Sequence, residues 1–285
     1  MDTLAVILRA WHLNLVGLTI CVGLLILYLA RGGRRLGCFV IGDVLLAILV
    51  CSPLDLLARQ YLLTAEATEQ VLLGLILPYL FVVGAPRNRF WGWKHFHYLA
   101  WIAGMGAFTL SCVPVMLNAA RTSEVVRGLE YMTLLAGGTL FWWPLHAPSQ
   151  EQRIPLVPHS LIYLAAACLW CSLIGLSVAF GHPNSSSYFL ASRDTLHIAE
   201  SLSADWSLTQ ASDKETAGLF FWIGASTVLL TEVMFIYYRW YSSTQLRAGA
   251  FVSEPVKGRP GAGSTPYAFG RQCPSGNAPS DRGQV

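Results

Sequence analysis

The feature that most constrains this chain is a series of long apolar windows almost free of charge. A helix rises about 1.5 Å per residue, so about 20 mainly apolar residues cross about 30 Å of hydrocarbon. Seven windows approach that length: residues 13–30, 36–51, 71–84, 98–118, 131–145, 160–180 and 217–238. The second, third and fifth are short at their strict apolar core and are expected to extend into flanking polar turns. Backbone groups in lipid must be satisfied within their own segment, which selects helices, and no alternating strand pattern competes. The expected fold is therefore all-α, a seven-transmembrane helix bundle. Composition agrees: charged residues are 12% of the 285, where a soluble domain carries about 25%.

Charge placement sets the expected orientation. The loops after the first, third and fifth windows and the C-terminal tail carry thirteen of the nineteen Lys and Arg residues, among them Arg31, Arg34, Arg35, Arg87, Arg89, Lys94, Arg153 and Arg239. The alternate set is Arg9, Arg59, Arg121, Arg127, Arg193 and Lys214. Basic residues favour the cytoplasmic side, so the N-terminus is expected outside and the C-terminus in the cytoplasm. Trp91, Trp93, Trp142, Trp143 and Trp240 fall near the inner boundaries, Trp11 and Trp222 near the outer ones, as interfacial belts would place them. Trp170 falls mid-window and reads as packed between helices. The expected domains are a membrane domain over 1–245 and a disordered cytoplasmic tail over 246–285, rich in Gly, Pro, Ser and Arg. Residues 194–202 suggest a short amphipathic surface helix. No basic leader with a cleavage site is read at the start. A net charge of +3 gives no reason to expect a nucleic-acid partner; the bilayer is the expected surroundings, in the inner (plasma) membrane.

Several ordered segments then resemble a known family. Ser52-Pro53-Leu54-Asp55 is followed by a run from Leu72 to Pro86 containing Pro78, then by Phe141-Trp142-Trp143-Pro144, then by a stretch from Asp213 through Gly218 to Trp222. In this order they are similar to the CtaG family of cytochrome c oxidase assembly factors. The resemblance runs from about Trp11 to Trp240. It implies a seven-span protein that handles copper for the oxidase, with oxidase subunits as partners. The positions at which the family carries histidine read differently here: Glu66 and Gln70 ahead of the Leu-rich run, Cys112 before Pro114, and Arg127 and Tyr131 around Glu130. The scaffold reads as retained and the imidazole site as lost.

Two readings of those positions stay open. In one, a polar network replaces the metal, with Arg127 neutralising Glu130 and Glu66, because buried charges need partners. In the other, Met105, Cys112 and Met116 recur on one helical face, with Met132 within approach, as a soft Cu(I) site of thiolate and thioether ligands, joined by Glu66 and Glu130. Met and Cys also fill gaps between packed helices.

Other groups are weaker pointers. Cys168-Leu169-Trp170-Cys171 has redox-motif spacing but sits mid-window, where two small apolar residues are the plainer reading. The cysteines are not the loop-borne set of a disulfide scaffold. His95 and His97 read as interfacial anchors and His146 and His159 as loop residues; His12, His182 and His197 share the outer side. Asp43 and Glu232 are ionisable groups inside windows, a functional hypothesis by default, with Arg34, Arg35 and Arg239 in snorkelling reach. Pro114 should kink the fourth window. No nucleophile–base pair, phosphate-cradling loop or zinc spacing occurs, so no catalysis is expected. Besides an assembly factor, the chain could be a metal-free scaffold or subunit, or a small-solute or proton transporter using Asp43 and Glu232. A haem protein is disfavoured, because no window places histidine deep in hydrocarbon.

Overall fold

The computed structural model describes residues 7, 11, 14–30, 36–85, 96–146, 157–181, 200 and 209–253, with side chains through 242 in the last stretch. Pro86, the suggested helix at 194–202 apart from Glu200, His12, His95, His182, His197 and most of the tail lie outside them. Contacts divide the chain into a unit Met1–Tyr241, which holds every side-chain contact described below, and a unit Ser242–Val285.

The described residues form helices and no strand. We number them α1 (Leu15–Ala30), α2 (Leu36–Cys51), α3 (Pro53–Gln60), α4 (Leu63–Gly84), α5 (Phe96–Ser111), α6 (Pro114–Thr122), α7 (Glu124–His146), α8 (Val157–Phe180) and α9 (Gln210–Ser253). Three of these, α4, α8 and the stretch Gln210–Ser242, are each long and apolar enough to cross a membrane, and five crossings result if the bent pairs α2–α3 and α5–α6 each count as one. The helix Gly17–Ala30 is apolar but shorter.

Local chemistry explains the breaks. Ser52 ends α2 and starts α3: its Oγ accepts from the Leu54 amide at 3.2 Å, and Pro53 occupies the first helical turn, where its missing N–H costs nothing. The two helices meet at 50°. The fourth window is not one rod. It stops at Ser111 and restarts at Pro114, and the halves are bent by 67°, the kink that a proline lacking an amide imposes.

Two of the three short windows extend as polar turns, while the second keeps its expected bounds, Leu36–Cys51, and ends at the Ser52 break. The third begins at Leu63 and the fifth at Glu124, each well before its apolar core. Within α4, residues Leu72–Ile76 widen into a π-helical turn. Pro78 withholds the amide that would bond the Gly74 carbonyl, and the freed turn is used by α7. Gly138 lies so close that an added Cβ would stand 2.1 Å from the Gly74 carbonyl oxygen, and the Trp142 indole donates to the Leu75 carbonyl at 2.8 Å. Trp142 is thus fully buried core rather than an interfacial anchor, and the Tyr163 hydroxyl donates to the Phe141 carbonyl beside it. Trp143 is half-buried and Pro144 continues inside α7. On the other side, α8 and α9 cross at Gly175 and Gly218, where an added Cβ would reach the facing carbonyl oxygen at 2.7 and 2.5 Å; Trp222 packs over Gly175.

Candidate functional site

One end of the bundle collects the polar starts and stops of α3 to α9. Its centre is Arg127, 2% exposed, in the first turns of α7. Its Nη1 donates to Glu66 Oε1 at 2.6 Å and to Glu130 Oε2 at 3.3 Å; its Nη2 is bonded to Glu69 Oε2 and reaches Asp55 Oδ1 at 3.5 Å; its Nε donates to the Tyr131 hydroxyl at 3.2 Å. The guanidinium also lies 4.9 Å from the Tyr131 ring centroid. A planar fork with five donors is the side chain that can serve so many acceptors at once.

Helical spacing explains the arrangement. Glu66, Glu69 and Gln70 share one face of α4 at i, i+3 and i+4, and Arg127, Glu130 and Tyr131 do the same on α7. Asp55 comes from α3 and is wholly buried; it also accepts from Arg59 Nε at 2.9 Å, an i,i+4 pair. Arg59 continues to the exposed Glu124. Arg121 of α6 lies in the same electrostatic field as Glu66, Glu130 and Arg127.

The Tyr131 hydroxyl is bonded to Asp55 Oδ1 at 2.5 Å and to Glu69 Oε1. A phenol has one proton to donate. For both contacts to be hydrogen bonds, the second must come from a carboxyl that carries its own proton. Three acidic side chains and one phenol therefore close around a single guanidinium, with Glu130 at the edge.

A second layer ties the cluster to neighbouring helices. Gln70 Nε2 donates to the Ser111 carbonyl and to Glu130 Oε1, both at 3.3 Å, and Gln70 Oε1 accepts from the Cys112 thiol at 3.4 Å. The first amides of α4 have no cap of their own, since Leu62 stands at the N-cap. Asp213 supplies one from α9: its carboxylate accepts from the Leu63 amide at 2.7 Å, from the Thr64 amide at 3.2 Å and from the Thr64 hydroxyl at 2.7 Å. A negative group at a helix N-terminus is favourable on both hydrogen-bond and dipole grounds.

Glu66, Gln70, Cys112, Arg127, Glu130 and Tyr131 therefore meet, and Asp55 and Glu69 join them. Of the methionines, Met105 is buried in the core, Met116 lies on α6 beyond the 67° bend and is 40% exposed, and Met132 lines a separate apolar groove with Leu24, Tyr28 and Phe39. The single helical face expected for Met105, Cys112 and Met116 is thus broken by the Pro114 bend. Among the described residues no group of three or more His, Cys, Asp and Glu side chains has metal-holding geometry. Glu66 and Glu130 already accept from Arg127 and the Cys112 thiol faces Gln70. This donor set does not fit a copper ion.

At the other end, His146 Nε2 lies 3.0 Å from Glu232 Oε1, joining α7 to α9, with the Tyr79 ring edge-on to the imidazole at 5.0 Å. His146 is a helical, half-buried partner of Glu232 rather than a loop residue. Asp43 is 9% exposed, and its Oδ1 has no hydrogen-bond partner among the described residues. The Cys168 thiol is 3.4 Å from the Ser226 hydroxyl, Cys171 is fully buried, and both are free. Trp170 is part-exposed, its indole donating to Thr109 Oγ1 at 3.0 Å.

The family of cytochrome c oxidase caa3 assembly factors (Caa3_CtaG) matches residues 24–243. The chain belongs to this family. The match takes in the whole Arg127 cluster, the Asp213 cap and the His146–Glu232 pair, so the Caa3_CtaG assignment and the site concern the same part of the chain. Apolar helices and family together make this a membrane protein. No curated protein and no solved structure matches the chain.

Proposed function

We propose that this chain assists cytochrome c oxidase assembly as a non-catalytic membrane scaffold, without holding copper at the end of the bundle where its relatives' histidines are expected. The observation that carries this reading is the occupancy of that end by a protein cation. Arg127 and Glu66 both stand at positions the resemblance assigns to histidine, and they pair with each other. A guanidinium there supplies the positive charge that its carboxylates require, and it has no lone pair of its own to give a metal where an imidazole would have one. The seven apolar stretches and the thirteen-to-six division of basic residues support seven crossings of the inner membrane, N-terminus outside, with the Arg127 end at the outer face. Oxidase subunits are the partners this reading implies, met through helix faces rather than through metal transfer.

The test is genetic and biochemical. In cells lacking the chain, the haem-containing oxidase complex should fall in abundance. Added copper should not restore it, whereas re-expression should. Full restoration by copper alone would overturn the metal-free reading; undiminished oxidase would overturn the assembly role.

A further inference from the structure

Beside the Arg127 cluster lies a cavity of about 570 Å³ between α4, the α5–α6 bend, α8 and α9. Glu66 lines it, 1% exposed, and while its Oε1 is held by Arg127, its Oε2 has no hydrogen-bond partner. An unmet carboxylate oxygen in a buried wall calls for a donor. Lys214 lines the same cavity, 9% exposed; its Nζ is bonded to the Gly181 carbonyl, and an ammonium has two further protons to give. Much of the remaining wall is apolar, including Val113, Pro114, Ile174 and Phe221, and it runs out to Val115, which is 69% exposed. The cavity is of small-molecule size, far larger than an ion.

A buried acceptor, a buried cationic donor and an apolar wall leading outward match a zwitterionic amphiphile. We propose that this cavity binds the head group of a phospholipid bearing a primary ammonium, of the phosphatidylethanolamine type. The ammonium donates to Glu66 Oε2, the phosphate accepts from Lys214, and the chains leave along Val113 and Val115. A primary ammonium keeps three N–H donors; each N-methylation removes one, and a quaternary ammonium has none. Choline lipids therefore leave Oε2 unmet, and phosphatidylglycerol offers Lys214 a phosphate but Glu66 no cation. The proposal stands apart from the oxidase role: its failure would leave the assembly reading untouched.

The test uses the full chain in detergent, titrated with phospholipids of identical acyl chains whose head groups are ethanolamine, N-methyl-, N,N-dimethyl-ethanolamine and choline, followed by native mass spectrometry. Affinity should fall along the series by about tenfold or more in total, the scale of one buried unmet acceptor. Glu66→Gln should flatten the series, and Lys214→Met should weaken the ethanolamine lipid. Because Glu66→Gln also touches Arg127, the methylation series on the unmodified chain decides the question without it. Equal binding of ethanolamine and choline lipids would overturn the proposal, as would tighter binding of phosphatidylglycerol. Equal binding of free phosphoethanolamine would overturn the lipid as occupant.

Discussion

Arg127 Nη1 donates to Glu66 Oε1 at 2.6 Å, joining the start of α7 to the start of α4 across 61 residues of chain. Both side chains are about 2% exposed. Removing one partner of a buried ion pair strands the other charge and costs about 3–5 kcal/mol. We expect Arg127→Ala to lower stability by that order, measured as thermal unfolding in detergent. The exposed partner Glu124, 66% accessible, serves as the control. Glu124→Ala should change stability by no more than about 1 kcal/mol, since exposed pairs contribute little.

Asp213 replaces a cap that the sequence next to α4 does not provide. Asp213→Ala should cost about 1–2 kcal/mol. It should also speed amide hydrogen exchange at Leu63 and Thr64 more than at amides deep in α4. Uniform acceleration along the helix would show instead that Asp213 acts only through global stability.

The His146–Glu232 contact predicts energetic coupling between α7 and α9. Contacting residues commonly show about 0.5–3 kcal/mol of non-additivity in a double-mutant cycle. We expect His146→Leu and Glu232→Leu together to cost less than the sum of the single losses, because the double variant leaves no buried charge without a partner. Strict additivity would separate the two side chains functionally.

Much of this architecture is legible from the chain. Apolar windows located the helices, since period and length survive any packing, and Pro114 marked the bend in the fourth. The pairing of Arg127 with Glu66 and Glu130 was readable from charge and helical spacing. What sequence did not reveal depends on which distant turns meet. Asp55 and Glu69 carry no signal of joining Arg127 until the Ser52–Pro53 bend turns α3 off α2 and sets it beside α4 and α7. The i,i+4 spacing of Asp55 and Arg59 was the one local hint. The capping by Asp213 spans about 150 residues and has no local signature. Conversely, the Met105, Cys112 and Met116 pattern assumed a straight helix that the proline breaks. Trp142 read as an interfacial anchor because a π-helical turn in another helix, which offers the Leu75 carbonyl, cannot be seen from its own neighbours.

The most direct test of a guanidinium-centred, copper-free site is the copper content of the purified chain. The full-length protein, loaded with Cu(I) under reducing conditions and desalted, would be measured by metal mass spectrometry beside a Cys112→Ser, Met116→Leu variant. We expect far less than one copper per chain in both. About one tightly held copper per chain, lost in the variant, would contradict the account.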